Sequence, residues 1–597
     1  MLHLGRAAVA HHRLQRVWLL LLACAAWLAC ANPVDAPGAA SPAAPADLVL
    51  TNAAVYTVDG ARRWAEAIAI ADGRIRYVGP AAGALALAGD ATRVVDLAGR
   101  MVLPGFQDAH VHPVDAGVAE AQCPLFDLDS IEAVVDKVAS CARSDPGTGW
   151  IIGSGWTVDL FVPSGIPDKK PLDAVAGDRP VSLVSTDGHT LWVNSRALAL
   201  AGITAQTPDP PRGRIDRYPG GSEPTGGLQE EAMELVAKHH PPLTDAALAD
   251  GLRIAARTLN GFGITAIQDA MVKVGGGDSY RGFPAYHALD DAGELPLRVV
   301  AAMVWDTALD VDAQVSRFEE ARRQHTRGRV HATAVKIFQD GVLETGTAAL
   351  KEPYLDAAPG FRGELMNAQP RLDAAVTRLD ALGFQVHFHA IGDHAIRSCL
   401  DAVEAARRAN GSRDSRHHVA HLELVDPADI PRFRALGVAA NFQPLWAYAD
   451  AYITDLTLPR IGAARGRWLY PIASFRDAGV PIAFGSDWSV SSANPLLGIE
   501  TAVTRTEPFG GADAEAASSE PFLPQERVSL ADAIASYTIA AAYVNFLERD
   551  TGSIEVGKLA DLIVLDRNLF AIPPAEISEA QVVATLLEGK LVHGALP

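Results

Sequence analysis

Cysteine and lysine are the scarce residues of this chain, and each scarcity excludes something. Five cysteines among 597 residues are too few and too scattered for a zinc–thiolate cluster or a dense disulfide framework. Two of them, Cys24 and Cys30, lie near the N-terminus, which leaves Cys123, Cys141 and Cys399 further on. Positive charge is also short. The chain has 51 Lys and Arg against 71 Asp and Glu, a net charge of −20, so the basic face that a nucleic-acid partner requires is not expected. Only nine of the cations are lysines. Charged residues make up 20% of the chain and hydrophobic ones 49%, which excludes a disordered polymer and describes a folded protein. Beyond residue 31 no run of 18 apolar residues free of charge occurs, so no membrane-spanning helix is expected there.

Residues 1–31 read as an export signal. Arg6, Arg13 and Arg16 precede an apolar run of 13 residues, Val17 to Ala29, too short to span a bilayer comfortably. Two endings compete. Ala29-Cys30-Ala31 fits a small-x-small cleavage site, whereas Leu21-Leu22-Ala23-Cys24, or the weaker Trp27-Leu28-Ala29-Cys30, resembles a bacterial lipobox whose cysteine is lipidated. Residues 32–46 are rich in Pro, Ala and Ser and have the composition of a tether, which favours the lipoprotein reading. The expected location is therefore exported: periplasmic, or lipid-anchored to the bacterial cell envelope, with membrane contact only through the anchor. In an oxidising compartment Cys123 and Cys141, which flank a predicted helix from Ser130 to Ala139, are placed to bridge. Cys399 falls in the apolar stripe of another helix and is expected as a buried thiol.

The chain is too long for one compact core. Residues 47–104 carry short β-prone runs (Leu48–Thr51, Ala67–Ile70, Ile75–Val78, Arg93–Asp96), and residues 551–597 repeat that character at Gly552–Ile554, Asp561–Leu565 and Lys590–His593. Both ends are expected to build one small β-sandwich domain. Between them, in residues 105–550, strands alternate with helices such as Asp245–Leu259, Arg371–Leu382 and His394–Arg408, the last with Asp393 as N-cap. The predicted strands are Gly105–His112, Gly263–Asp269, Leu297–Ala302, Ala332–Phe338, Gln385–His389, His418–His421, Val438–Phe442 and Pro481–Asp487. Eight βα units point to an α/β fold, the (β/α)8 TIM barrel, whose active site lies at the C-terminal strand ends. About 150 residues separate His112 from Gly263, where a βα connection needs about 30, so roughly residues 116–242 form a large insertion after strand 1.

The barrel reading brings six polar residues to one face. His110 and His112 end strand one with i, i+2 spacing, which turns both imidazoles the same way. Lys336 lies in strand four, His389 ends strand five, His421 ends strand six and Asp487 ends strand eight. Singly, His421 reads equally well as a core histidine bonded to a carbonyl, and Asp487 as a helix cap. Lys336 is harder to dismiss, since a lysine in a strand buried on both faces is costly unless paired or chemically altered. Within the insertion the most site-like piece is Asp187-Gly188-His189-Thr190-Leu191-Trp192. His189 reads there as a substrate contact or a structural hydrogen-bonding residue, and Trp156 and Trp488 as pocket walls or plain core.

The pattern His-x-His, Lys, His, His, Asp on strands one, four, five, six and eight resembles the amidohydrolase superfamily. The phrases Leu103–His112, Asp187–His189, Trp192–Ser195, Lys336–Gly341, His389–Asp393, Gly485–Trp488 and Gly557–Leu562 resemble its amidohydrolase 3 type, the long-chain members typified by N-substituted formamide deformylase. The resemblance covers nearly all of residues 47–597. It implies that His110, His112, His389 and His421 hold one or two divalent metals, with zinc the expected ion. It further implies that Asp487 is both ligand and proton shuttle, and that Lys336 bridges as a carbamate. The expected activity is hydrolysis of a non-peptide C–N bond in a small molecule, of amide or formamide type, by a metal-activated water. The alternatives are an esterase or lactonase on the same metal site, and an exported binding protein without turnover. Homo-oligomerisation is left open.

Overall fold

The computed structural model describes residues 45–597 except 127, 145, 146, 148, 276–281 and 509–519. The expected leader, residues 1–31, and nearly all of the linker lie outside the described residues. Ala46 already opens a strand.

Eight parallel strands form a (β/α)8 barrel. In chain order they are Phe106–Val111, Ile264–Val272, Arg298–Val304, Val330–Phe338, Gln385–Ala390, His418–His421, Ala439–Phe442 and Ile482–Phe484. We call them strands one to eight of the barrel. Neighbouring strands pair in sequence order, and the register aligns Lys336 with His387, Phe338 with His389, and Ala390 with His421. Apolar residues such as Ile267, Val299, Val335, Val386 and Val419 pack outward against the helices in one continuous core. Two ends differ from the expected ones: strand eight stops at Phe484, three residues before Asp487, and Gly392 rather than Asp393 is the N-cap of helix Asp393–Asn410. The Asp393 carboxylate instead accepts the Lys351 N–H at 2.8 Å.

Strands from both ends of the described chain share one sheet. Leu562–Leu565 pairs antiparallel with Met101–Pro104, next to Ala54–Tyr56 on one side and Val582–Leu587 on the other. Facing it is the sheet of Ala46–Thr51, Ala67–Ala71, Arg74–Gly79 and Ala88–Asp96. The period of two along these strands has a specific use. Val102, Leu562 and Val564 point into the sandwich core with Leu50, Ile68 and Ile70, whereas Met101, Leu103, Ile563 and Leu565 join the barrel core. The sheet is thus buried on both faces and joins the barrel to the small domain. Gly552-Ser553-Ile554, expected as a strand, forms bends instead, with the Ile554 N–H bonded to Thr57 O.

After strand one, helix Pro113–Ala121 still belongs to the barrel, since Val114 and Val118 share its core with Leu248 and Leu252. The insertion proper is a mixed sheet of Cys123–Pro124, Ile151–Trp156, Val181–Ser185, Thr190–Val193, Pro224–Glu230 and Gly213–Arg217. The Cys123–Cys141 disulfide ties its edge strand to helix Ile131–Ser144, and Cys399 is a buried free thiol. Trp156 is not a pocket wall. Its ring is fully buried in the insertion's own core, 5.6 Å from both Trp192 and Phe161, and its N–H donates to Leu183 O.

The barrel and the small domain are also joined by charge. Arg298, at the start of strand three, donates to Asp561 at 2.9 Å and to Glu588 at 2.7 Å, and Arg329 meets Glu588 at 3.0 Å. The Asp561 side chain is only 2% exposed. Removing Asp561 takes away the more buried partner of Arg298 but leaves it Glu588 at 2.7 Å, so the cost is about 2 kcal/mol, below that of stranding a buried charge outright. Asp561→Ala is therefore expected to lower the unfolding free energy by about that amount while leaving metal content unchanged, as read from denaturant unfolding alongside elemental analysis. Unchanged stability would show that the network contributes nothing.

Candidate metal centre

The site is assembled across the seam where the barrel closes. Strands one and eight share no regular ladder, and side chains and isolated backbone bonds close the gap. The Asp108 carboxylate accepts the His110 N–H at 2.9 Å and the Ser486 N–H at 3.1 Å. The Asp487 N–H donates to His110 O, the His112 N–H to Trp488 O, and the Asn441 amide to Ala109 O. Gly485 allows this approach, since a Cβ there would lie 2.7 Å from His110 N and 2.8 Å from its Cβ. Asp487 then takes a left-handed turn, φ 54°, which brings its side chain back over the barrel mouth.

His110, His112 and Asp487 form the tight group, each offering one ligand atom within 4.8 Å of the others. Asp487 Oδ1 lies 2.9 Å from His112 Nε2 and 3.4 Å from His110 Nε2, yet it is buried and makes no hydrogen bond. A buried anionic oxygen in that state lacks a cation. Burial alone would raise the Asp487 carboxyl, but His110 and His112 outweigh it and hold it well below the usual carboxylate range. Burial, with Lys336 adding to it, lowers His110 to about 3, so its imidazole stays neutral, as a metal ligand must. On the other face of that ring, Nδ1 lies 2.9 Å from His387 Nε2.

The remaining predicted residues surround this group at differing range. Lys336 is fully buried, its Nζ 3.2 Å from His110 Nε2 and 4.9 Å from the Phe338 ring centre. Burial lowers its ammonium to about 7. His421 bonds Gln443 Oε1 through Nδ1 at 2.9 Å and lies 3.7 Å from Asp487 Oδ2; Trp446 stacks parallel on it at 5.5 Å. His389 is one ring further out, 4.5 Å from the His421 ring, with Nε2 3.3 Å from Gly341 O. The insertion delivers His189, whose ring lies 5.4 Å from that of His389. Trp488 is nearly buried, at 7% exposure, beside Asp487.

Several residues at the site were not anticipated. His387 repeats the His-x-His spacing in strand five, and that spacing was a usable signal. Gln443, Trp446 and Glu230 carry no such signal. Glu230 ends insertion strand Pro224–Glu230 and meets His189 Nδ1 with both oxygens, at 3.1 and 3.0 Å. Burial would lower His189, but Glu230 outweighs it and raises the imidazole to about 9.

Imidazoles, a buried carboxylate and an amine lowered to about 7, gathered at a barrel mouth, are a donor set that could hold a divalent cation. Comparison with known proteins agrees. The amidohydrolase family model matches residues 93–593. The chain belongs to the amidohydrolase family. Protein LONG AFTER FAR-RED 3 of Arabidopsis thaliana is 32% identical over 556 residues, 92% of each chain. N-substituted formamide deformylase of Arthrobacter pascens is 29% identical, covering 91% of this amidohydrolase and 98% of its own length. An uncharacterized metal-dependent hydrolase from Pyrococcus furiosus superposes with a TM-score of 0.65 at 26% identity, over 87% of this chain and 99% of its own.

For this amidohydrolase, His110→Ala or His389→Ala is expected to abolish metal content and activity together while far-UV circular dichroism stays native, because these side chains do not hold the barrel together. A variant that keeps full metal and rate would remove its residue from the ligand set.

Proposed function

We propose that this amidohydrolase cleaves the non-peptide C–N bond of a small amide, of formamide type. It would use one or two divalent ions held by His110, His112, Lys336, His389, His421 and Asp487. The nitrogen-rich donor set favours zinc. The observation that carries the reading is Asp487 Oδ1, a buried carboxylate oxygen without a hydrogen bond that lies 2.9 Å from His112 Nε2 and 3.4 Å from His110 Nε2. A bound divalent ion supplies Lewis acidity, making a water acidic enough to deprotonate near neutral pH and polarising a carbonyl. Asp487, kept ionised, takes the proton from that water and delivers it to the departing nitrogen, so the products are a carboxylic acid and a neutral amine. Lys336, once its Nζ is deprotonated, condenses with CO2 to a carbamate, releasing one proton. An ammonium there would repel the cation, whereas the carbamate presents two anionic oxygens. His389 holds the far side of the site, with His189 and Trp488 as the substrate-facing groups. The family and the formamide deformylase relative support the substrate class. The Cys123–Cys141 disulfide supports export.

Metal-loaded enzyme assayed on paired amide and ester substrates with product detection tests the reading. Amide turnover is expected. Turnover of esters or lactones alone would move the enzyme to that class, and full metal occupancy without any turnover would leave a binding protein. Asp487→Asn should lower the rate by roughly 10²-fold while much of the metal remains. Lys336→Ala should abolish binding of a second ion, with partial rescue by acetate or bicarbonate. Crystallographic density beyond Lys336 Nζ in metal-loaded protein is the direct check, and a bare ammonium there would overturn the carbamate.

A further inference from the structure

We infer that Glu230 is a positioning residue. It fixes the His189 ring so that its Nε2 meets the substrate's carbonyl oxygen, and in this way the insertion, rather than the barrel, supplies the polar contact that recognises the scissile group. The inference rests on the metal-site reading above and concerns residues that lie outside the ligand set.

The geometry begins with an acceptor that has only one way to be used. Both Glu230 oxygens lie 3.0–3.1 Å from His189 Nδ1, and a carboxylate can only accept, so Nδ1 carries the hydrogen. Nε2 is then the one ring atom left for a partner other than Glu230. The ring lies 5.4 Å from that of His389, and its side chain keeps 14% of its surface open, so a small molecule at the metal-ligating rings can reach it. The carboxylate facing Nδ1 at 3.0–3.1 Å favours the imidazolium, in which Nε2 also carries a hydrogen and is the donor left for a carbonyl oxygen. The arrangement matches the carboxylate–histidine pairs that orient imidazoles elsewhere.

Glu230 is itself held from several sides. Thr347 Oγ1 donates to Glu230 Oε1 at 2.8 Å, and the Glu230 N–H donates to His189 O at 3.1 Å. Its backbone sits in the left-handed region, φ 51°, a strained conformation for a side-chain-bearing residue that persists only where the surroundings impose it. Gly341 makes room for it: a Cβ on Gly341 would lie 2.3 Å from Glu230 Oε1. The carbonyl of that same glycine is the contact of His389 Nε2 at 3.3 Å. One residue just beyond strand four therefore adjoins both the proposed metal-ligating ring and the carboxylate that aims His189. The insertion is locked to the barrel at the point where substrate must bind.

The test uses acetohydroxamate, a carbonyl-bearing metal ligand, titrated calorimetrically into zinc-loaded full-length protein, with zinc content measured on the same samples. Glu230→Gln, nearly isosteric, is expected to keep zinc and weaken acetohydroxamate by about tenfold, the loss of one charge-assisted hydrogen bond's orientation. His189→Gln should weaken it by a similar factor. In the His189→Gln background, Glu230→Gln should cause no further loss, since Glu230 acts only through the ring; a merely structural role would give additive losses. Thr347→Val is the second variant should Glu230→Gln lose zinc, with a roughly two- to threefold weakening expected. Wild-type affinity in these variants at full zinc, or additive losses in the double variant, overturns the inference alone. Absence of zinc from the wild-type protein overturns the metal reading and this inference with it.

Discussion

Closure of the barrel between its first and last strands is the constraint on which the rest of the site depends. Asp108 and Gly485 do for this seam what a hydrogen-bonded ladder does between the other strands. The carboxylate gathers the N–H groups of His110 and Ser486, and the glycine lets the two chains approach to contact. The ligand group His110, His112 and Asp487 straddles that seam. A displacement there would separate Asp487 from both histidines at once, so fold closure and site geometry are one requirement.

Burial then sets the chemistry. Desolvation favours the neutral form of His110, His389 and His421 and lowers Lys336 to about 7. Asp487 goes the opposite way, because the adjacent His110 and His112 imidazoles outweigh burial. Asp108 and Asp340 are instead raised to about 7 by desolvation, even though backbone N–H groups bond both. Neighbouring carboxylates thus divide into one that is kept charged at the reaction centre and two that serve as hydrogen-bonding staples, as environments that push pKa values apart require.

The parts of the molecule legible in the sequence were those written in period and spacing. Eight β-runs between helices became eight barrel strands, and the i, i+2 spacing of His110 and His112 marked two imidazoles turned one way. Lys336 stood out because a buried strand tolerates few lysines. What could not be read was decided by contacts between residues far apart in sequence. Trp156 read as either pocket wall or plain core, because tryptophan serves in both, and its place was settled by Trp192 and Phe161. Asp487 was taken as a strand end, but the seam requires a left-handed turn first. Glu230 lies 41 residues from His189, and nothing local to either residue announces the pair.

That last pair shows how labour is divided in this architecture. The proposed ligands come from paired barrel strands or, for His112 and Asp487, from just beyond them at the closing seam, so they can shift only if the barrel or its seam does. His189 comes from a separate sheet with its own core and its own disulfide, joined to the metal centre through side chains packed about Gly341. On the proposed reading, metal binding and substrate contact rest on different packing units. Substitutions in the core of the insertion can move the His189 side of the pocket while the cation site stays intact, whereas a change at Asp108 or Gly485 cannot alter one without the other. On that reading, the physical route to a new substrate in this amidohydrolase runs through the insertion.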